Sequence, residues 1–358
     1  MSPLDWSRAI VRTSAGFTID FNIATANGSV AMARPRRRTG RERQLAIDEV
    51  ALLTALKRPG PVPDALRRRI RGCDQVLANL VLEGLLEVRE KGRFRSGAGV
   101  LQPDGEPAAE KHAGPASQIS ELALEYALAI RHIEPNELAK RLYTFNSLPR
   151  TEAGRTDFAS RTGIDPSSPS MRIGGREWTA QPTPKWLYFR RQAGSGGRFK
   201  IYLSPTVEDI PKVLGRFAEA LGRGNATFKI AFPAESLGRP DKIVAYVPTF
   251  AALQRTLSDL AAAGLEAKVQ AVPFSAPVSA APLLSWGVDP PGVATGGGAS
   301  WRSWVASQVA ECAHSIPVSE PAGGALAHLK AALQVRDIDP VDWLPRQQLL
   351  SQKWRLEL

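Results

Sequence analysis

The feature that most constrains the fold begins at Trp186, where segments with apolar residues at every second position alternate with segments that have apolar residues at helical spacing. Period-two alternation over residues 186–190 and 198–203 predicts two strands on either side of a glycine-rich turn. Residues 207–221 instead place apolar side chains at helical spacing and end near two glycines. The two kinds of segment continue to alternate downstream, where they predict strands at 227–232, 242–247 and around 267–272 and a helix at 249–263. Alternating strands and helices of this kind indicate a mixed α/β domain.

Cationic and tyrosine side chains occupy alternate positions of these strands, opposite an apolar face. A lysine on a short, largely buried strand is costly unless it meets an anion or loses its proton. The pattern therefore indicates either an anion-binding face or the solvated face of a one-sided sheet. The side chains concerned are Arg198, Lys200, Tyr202, Lys229, Lys242 and Tyr246.

Residues 119–185 carry a weaker pattern. Apolar positions at helical spacing predict helices at Ser120–Ala129 and Pro135–Phe145, the second with a proline at its start. Residues 146–185 are rich in Pro, Ser and Gly. We expect a long loop there, either ordered over the domain or disordered.

The first hundred residues form a separate pattern. Residues 14–33 alternate in hydrophobicity around an Asn-Gly dipeptide, which predicts a hairpin. Three helical patterns follow, at 42–58, after Pro63 and at Asp74–Gly84. Two short strand patterns joined by a Lys-Gly turn close the segment. Three short helices and such a strand pair are typical of a winged-helix module.

A change in composition separates the two patterns. Residues 98–118 are rich in Gly, Pro, Ala and Glu, have no apolar period and indicate a linker. We therefore predict an α+β protein that has a winged-helix domain at 1–97, a linker at 98–118 and a mixed α/β domain at 119–358.

The positive charge of the chain is unevenly distributed. The net charge is +11, and most of it lies between Arg34 and Arg95. A concentration of one charge sign attracts an acidic partner, which here is either nucleic acid or an acidic peptide.

Several classes of site and location are excluded by composition. The only cysteines are Cys73 and Cys312, so neither a disulfide framework nor a cysteine-rich zinc site is expected. The four histidines are not at metal-ligand spacing, and no metal site or classical triad is expected. No apolar run reaches the roughly 18–20 residues of a membrane-spanning helix, and the first residues lack a secretory pattern. We therefore expect a cytoplasmic protein.

The stretch from Arg198 to Trp304 resembles the phosphothreonine lyases and, more closely, the HopA-type effectors of bacterial secretion. Similar proteins occur in the biosynthesis of ribosomal peptides, including class V lanthipeptides and thioamide-containing peptides. The segments that carry the resemblance are Lys200-Ile201-Tyr202-Leu203-Ser204, Phe228-Lys229, Gly238–Tyr246, Ser285–Pro291 and Ser300-Trp301-Arg302.

The resemblance implies roles for individual residues. Lys229 takes the place of the lysine that is the general base of the lyases. Tyr202 stands where the lyases have their general acid, a histidine, and is therefore an auxiliary acid at most. The implied phosphate-binding and substrate-binding residues are Arg198, Lys200, Arg239, Lys242, Tyr246 and Arg302.

The N-terminal pattern resembles the peptide-recognition elements of ribosomal-peptide pathways, which are small winged-helix modules that bind a leader peptide at a sheet edge. Winged helices most often bind DNA, and the arginine clusters 36–38, 67–69 and 93–95 suit phosphates as well as an acidic leader. We favour leader binding, because an enzyme-like domain follows it in the same chain.

The leading hypothesis is a lyase that eliminates phosphate from phosphoserine or phosphothreonine of a precursor peptide and leaves dehydroamino acids. A separate kinase would supply the phosphate, and neither a metal nor an organic cofactor is required. One alternative keeps the fold but loses catalysis, which gives a non-catalytic, precursor-binding subunit of a peptide-modifying complex. Another is a winged-helix DNA-binding regulator.

Overall fold

The structure is a computed structural model that describes residues 4–25, 28–36, 43–97, 100, 114–148, 157–191, 197–224, 226–278, 281–290 and 300–346. Its helices are α1 (Ile47–Ala55), α2 (Asp64–Arg69), α3 (Cys73–Leu82), α4 (Pro115–Ala129), α5 (Pro135–Tyr143), α6 (Phe158–Thr162), α7 (Ile210–Leu221), α8 (Phe250–Ala262), α9 (Trp301–Ser315) and α10 (Ala322–Val335).

The strands form three sheets. Strands β1 (Val11–Thr13), β5 (Leu86–Glu90) and β6 (Arg93–Arg95) form one, in the order β1-β5-β6. Strands β2 (Phe17–Thr25), β3 (Gly28–Pro35) and β4 (Arg43–Leu45) form another. The third has eight strands in the order β13-β14-β10-β12-β11-β9-β8-β7. Its strands are β7 (Ser170–Ile173), β8 (Arg176–Pro182), β9 (Trp186–Arg190), β10 (Phe199–Leu203), β11 (Thr227–Ala231), β12 (Ile243–Val247), β13 (Ala276–Pro277) and β14 (Leu284–Val288).

One face of the eight-stranded sheet is apolar, as the alternation of its strands requires. Phe228 on β11 stacks on Phe189 of β9, with ring centroids 4.6 Å apart, and meets the edge of Trp178 from β8 at 4.8 Å. Phe217 of α7 meets Phe228 edge-on at 6.0 Å, so this helix covers the aromatic cluster. Rings in these offset and edge-on arrangements add to the free energy that burial alone provides. The opposite face carries the polar and cationic side chains.

The compact unit that contains this sheet consists of residues 110–126, 136–307 and 339–358. A second unit consists of residues 1–109, 127–135 and 308–338. The second unit contains both small sheets, and its core includes buried residues of α3 and β5 such as Leu77, Val81 and Leu86. Helix α10 packs against α3 within that unit. The domain boundaries at 97 and 118 stay a prediction.

Most of the predicted elements are present. Strand β9 has the predicted bounds, and β10, β11, β12, α7 and α8 lie within two or three residues of theirs. The N-terminal hairpin and the three helices after it are present as well, while the turn residues 26–27 lie outside the described residues. The α+β class is confirmed. The winged-helix assignment of the N-terminal segment stays a prediction.

Two predictions of local structure were wrong. Residues 146–185 are not one long loop, because α6, β7 and β8 lie within them and the two strands extend the large sheet. Residues 267–272 do not form a regular strand. They contain a single β-bridge, between Val269 and Pro205, because the backbone turns into the left-handed region at Ala271 with a φ of 67°.

No helix among the described residues is both long enough and apolar enough to cross a membrane.

Candidate active site

Strand register brings four of the predicted residues to the polar face of the large sheet. On β10, Lys200 and Tyr202 share this face, and Lys200 lies directly opposite Tyr246 of β12. On the other side of β12, Lys229 of β11 lies opposite Val244, the next residue of that face. The alternation in the sequence thus places these lysines and tyrosines on one surface.

Aromatic rings surround the ammonium group of Lys229. Its Nζ lies 4.0 Å from the ring centroid of Trp186, 5.3 Å from that of Tyr246 and 5.5 Å from that of Tyr188. These contacts are cation–π interactions and not ion pairs. Within the described residues, Lys229 has no hydrogen-bond or carboxylate partner.

This environment makes Lys229 easier to deprotonate. Burial, the largest effect, lowers the pKa of Lys229 from 10.5 to about 8. The Asp241 carboxylate opposes that change, while the positive charges of Lys200 and Arg239 add to it. A lysine with this pKa is partly neutral near pH 8 and can accept a proton.

A second cation reaches the same tryptophan. The Arg239 guanidinium carbon lies 5.0 Å from the ring centroid of Trp186. Asp241 orients this guanidinium, because Arg239 Nε donates to Asp241 Oδ1 at 2.9 Å and Nη2 donates to Oδ2 at 3.1 Å. Nη2 also donates to the Tyr143 hydroxyl at 3.1 Å. Arg239 is therefore held in a fixed position at the ring that Lys229 also contacts.

Asp241 in turn is held by a buried arginine. Arg302 Nη1 lies 2.8 Å from Asp241 Oδ2, and the Arg302 side chain is only 1% exposed. Its other nitrogens donate to main-chain oxygens, Nε to Pro273 at 2.9 Å and Nη2 to Tyr143 at 3.1 Å. Burial alone would raise the pKa of Asp241, but the two guanidinium groups lower it to about 2. Asp241 is thus ionised at neutral pH and links the two arginines.

Two tyrosines of this face, Tyr202 and Tyr246, are poor acids. Burial raises the pKa of both Tyr202 and Tyr246 well above 10. Tyr202 is 3% exposed and packs with Val244 and Val272. No hydrogen-bond partner of its hydroxyl is present among the residues that the structure describes. The Tyr202 hydroxyl is protonated at neutral pH, so it can act as a proton donor but not as a base.

The remaining predicted cations have other surroundings. Lys200 forms an ion pair with Asp289, which follows β14. Arg198 is exposed and immediately precedes β10. Lys242 is fully buried, and its Nζ donates to Pro205 O at 2.7 Å and to Gln270 Oε1. Of the predicted set, the structure therefore brings Lys229 and Arg239 to one ring, and it gives Lys200 and Lys242 partners from the chain itself.

Four residues of this cluster had no role predicted from the sequence: Trp186, Tyr188, Tyr143 and Asp241. Strand alternation was the available signal for Trp186, which shares a face with Tyr188. For Asp241 the signal was its spacing of two residues from Arg239. Tyr143 carried no signal, because α5 is far from the sheet in sequence. In the described part of the chain, no three His, Cys, Asp or Glu side chains are arranged to hold a metal ion.

Comparison with known proteins gives only distant likenesses. No protein-family model and no curated protein matches the chain. An effector protein from Pseudomonas syringae pv. tomato strain DC3000 is 13% identical, over 64% of this chain and 97% of that one, with a TM-score of 0.39. An effector from Pseudomonas syringae pv. syringae strain 61 is 13% identical, over 63% and 97%, with a TM-score of 0.37. A phosphothreonine lyase is 12% identical, over 47% and 88%, with a TM-score of 0.28. At these scores the likenesses do not establish a shared fold or activity.

Proposed function

We propose that the protein is a lyase that eliminates phosphate from phosphoserine or phosphothreonine in a peptide. The observation that carries this proposal is the pair of Lys229 and Arg239 on the ring of Trp186. One member of the pair has a pKa lowered to about 8, and the other is a permanently charged guanidinium. A proton acceptor beside a fixed cation is what this elimination needs.

The chemistry uses the neutral amine of Lys229. It would take the α-proton of the phosphorylated residue, and the electron pair of the Cα–H bond would form the Cα=Cβ double bond as the Cβ–O bond breaks. Phosphate would leave with the electrons of that bond and accept one proton, to become hydrogen phosphate. The proposed donor of that proton is the Tyr202 hydroxyl, which would regain a proton from protonated Lys229. The net products are therefore a dehydroamino acid and hydrogen phosphate, with both side chains restored.

Arg239 is the proposed principal contact of the phosphate. Arg239 Nε donates to Asp241, and Nη2 donates to Asp241 and Tyr143. Nη1 has no hydrogen-bond partner among the described residues, so its two N–H groups can donate to a ligand. Lys200 and Arg198 lie at β10 of the same sheet and would add positive charge, with a phosphate dianion competing with Asp289 for Lys200. Tyr202 would donate a proton to the leaving oxygen, although its high pKa makes it a weak acid.

The lack of a histidine favours a second candidate function. Every histidine of the chain lies outside residues 133–313, so none belongs to the segment that carries the site. A protein that holds a phosphopeptide without eliminating phosphate needs the cations but no acid. This is the non-catalytic, precursor-binding subunit described above.

We also propose that the substrate is a ribosomal precursor peptide in the cytoplasm, phosphorylated by a separate kinase and held through its leader by the N-terminal segment. The elements β1, α1, α2, α3, β5 and β6 follow one another in this order, apart from the separate β2-β3-β4 sheet inserted between β1 and α1, and β1 pairs with β5. This arrangement supports a winged-helix interpretation of that segment. The excess of arginine between Arg34 and Arg95 favours an acidic partner. Calorimetry of the full-length protein with an acidic leader-like peptide and with random duplex DNA separates the two partners. Tight binding of DNA and none of the peptide would favour the regulator instead.

A mass measurement tests the lyase proposal. The full-length protein is incubated with a phosphothreonine peptide, and free phosphate and peptide mass are followed together. Elimination gives a peptide that is lighter than the threonine peptide by one water, whereas hydrolysis gives the threonine peptide itself. Phosphopeptide binding with no change of mass would favour the non-catalytic subunit.

A further inference from the structure

A chain of polar contacts joins three loops next to the candidate site. Gln270 Nε2 donates to Asn146 O at 2.6 Å and to Gly238 O at 2.9 Å. Asn146 comes three residues after Tyr143, and Gly238 immediately precedes Arg239. The backbone segments that carry two side chains of the site are thus anchored on one amide group.

A hydrogen bond from Lys242 fixes the orientation of the Gln270 side-chain amide. Its Nζ donates to Gln270 Oε1 and to Pro205 O. Because a lysine offers N–H groups to its neighbours, the oxygen of the Gln270 amide must lie toward it, and the nitrogen must lie toward the two carbonyls. Burial lowers the pKa of Lys242 to about 7, and the two acceptors match the two N–H bonds of a neutral amine. The buried amine of Lys242 therefore has hydrogen-bond acceptors although no carboxylate of the described residues pairs with it.

The loops held by this network have unfavourable backbone conformations. Ala271 has a φ of 67°, in the left-handed region that most residues with a Cβ disfavour, and Asn146, a residue type that tolerates this region better, has a φ of 65°. Asn146 Nδ2 donates to Ala271 O at 3.1 Å, and Leu148 N donates to Gly238 O at 2.9 Å. Such conformations persist only where surrounding contacts hold them. The contacts of the three loops on one another supply that restraint.

We propose that Lys242 and Gln270 are positioning residues, which fix the backbone of residues 146 and 238 and thereby the placement of Tyr143 and Arg239. Lys242 is then part of the support of the site and does not touch the phosphate. The consequence for catalysis rests on the proposed function. The effect on Arg239 does not, and it can be measured in the absence of any substrate.

The test follows the Nε–H proton of Arg239 by NMR in the full-length protein, with the signal assigned by its loss in Arg239→Lys. In the wild type this proton is hydrogen-bonded to Asp241 at 2.9 Å. Gln270→Glu keeps the side-chain length and the acceptor for Lys242 but removes both amide N–H groups. Lys242→Met keeps the chain length and removes the donor to Gln270. The Nε–H proton of Arg12, which donates to Glu87 at 2.7 Å in the other unit, is the internal control.

We expect both variants to speed exchange of the Arg239 proton with water about tenfold or more, which corresponds to the loss of about one hydrogen bond, while the Arg12 proton is unchanged. Unchanged exchange of the Arg239 proton in a folded variant of either kind would overturn the proposal. If Gln270→Glu does not fold, Lys242→Met decides alone. In the elimination assay the same variants should lower kcat/KM by about tenfold. If the wild type never eliminates phosphate, the proposed function fails and the exchange result stands on its own.

Discussion

The ammonium group of Lys229 lies 4.0 Å from the ring centroid of Trp186, on the polar face of the eight-stranded sheet. The ring excludes water from the amine but carries no negative charge. Lys200 differs from Lys229 in this respect, because its partner is the carboxylate of Asp289. Burial moves the pKa of Lys229 toward neutrality.

The first prediction is a pH dependence. Only neutral Lys229 accepts a proton, and its pKa is about 8, so kcat/KM should rise about tenfold per unit below pH 8 and level off above it. Arg239→Gln removes a positive charge that lowers this pKa, so the rising limb should move to higher pH. Values of kcat/KM for elimination from a synthetic phosphopeptide between about pH 7 and 9 measure the profile of the wild type and its displacement in Arg239→Gln. A flat profile in the wild type would exclude Lys229 as the base.

The second prediction concerns affinity. Arg239→Gln should weaken phosphopeptide binding by about ten- to a hundredfold, because a charge-assisted contact contributes roughly 1.5–3 kcal/mol. Calorimetry at constant salt gives the dissociation constants. Arg255→Gln on α8 removes an exposed arginine of the same unit and should leave affinity unchanged. Equal losses in both variants would point to net charge alone and remove Arg239 from the site.

The third prediction concerns stability. Arg302→Met should lower the free energy of unfolding by about 3–5 kcal/mol at pH 7, because it removes a partner of the buried Asp241 carboxylate. Denaturant unfolding measures this loss, and Arg141→Met, which breaks a half-exposed pair with Glu137, should change stability little.

The same pair sets a pH window for the wild type. The pKa of Asp241 is lowered to about 2, below its unfolded value of about 3.9. Its ionised form therefore stabilises the fold above about pH 4, and this contribution is lost as pH falls toward 2. In Arg302→Met the carboxylate regains its proton at higher pH, so the difference in stability between the two proteins should shrink as pH falls from 7 to about 4. A difference that is constant over this range would contradict the assigned role of the pair.

Strand alternation predicted the polar face because successive side chains of a strand point to opposite faces, so each residue can be assigned to a face from its own strand alone. Phe228 and Lys229 could be assigned to opposite faces without knowledge of any neighbour. The partners of Lys229 were harder to predict, since Tyr246, Tyr188 and Trp186 meet it only through the order of β12, β11 and β9.

The missed elements have physical reasons of their own. In strand β8 only Trp178 and Ala180 are buried, so the alternation of apolar and polar residues is short. The strand also lies in a segment rich in Pro, Ser and Gly, which are typical of turns. Residues 267–272 alternate like a strand, yet the side chain of Gln270 is needed to tie Asn146 to Gly238. A tertiary polar network thus overrides a local pattern there.

The most direct test of the central claim compares elimination by the wild type, Lys229→Met and Lys212→Met, by mass spectrometry of one phosphothreonine peptide. Lys212 lies on α7 and pairs with Asp209, so its variant controls for loss of a lysine in the same unit. The account predicts a dehydrated product from the wild type and Lys212→Met, and a rate lower by about 10²–10⁴-fold in Lys229→Met. Elimination by Lys229→Met at the wild-type rate, or no dehydrated product from the wild type, would contradict it.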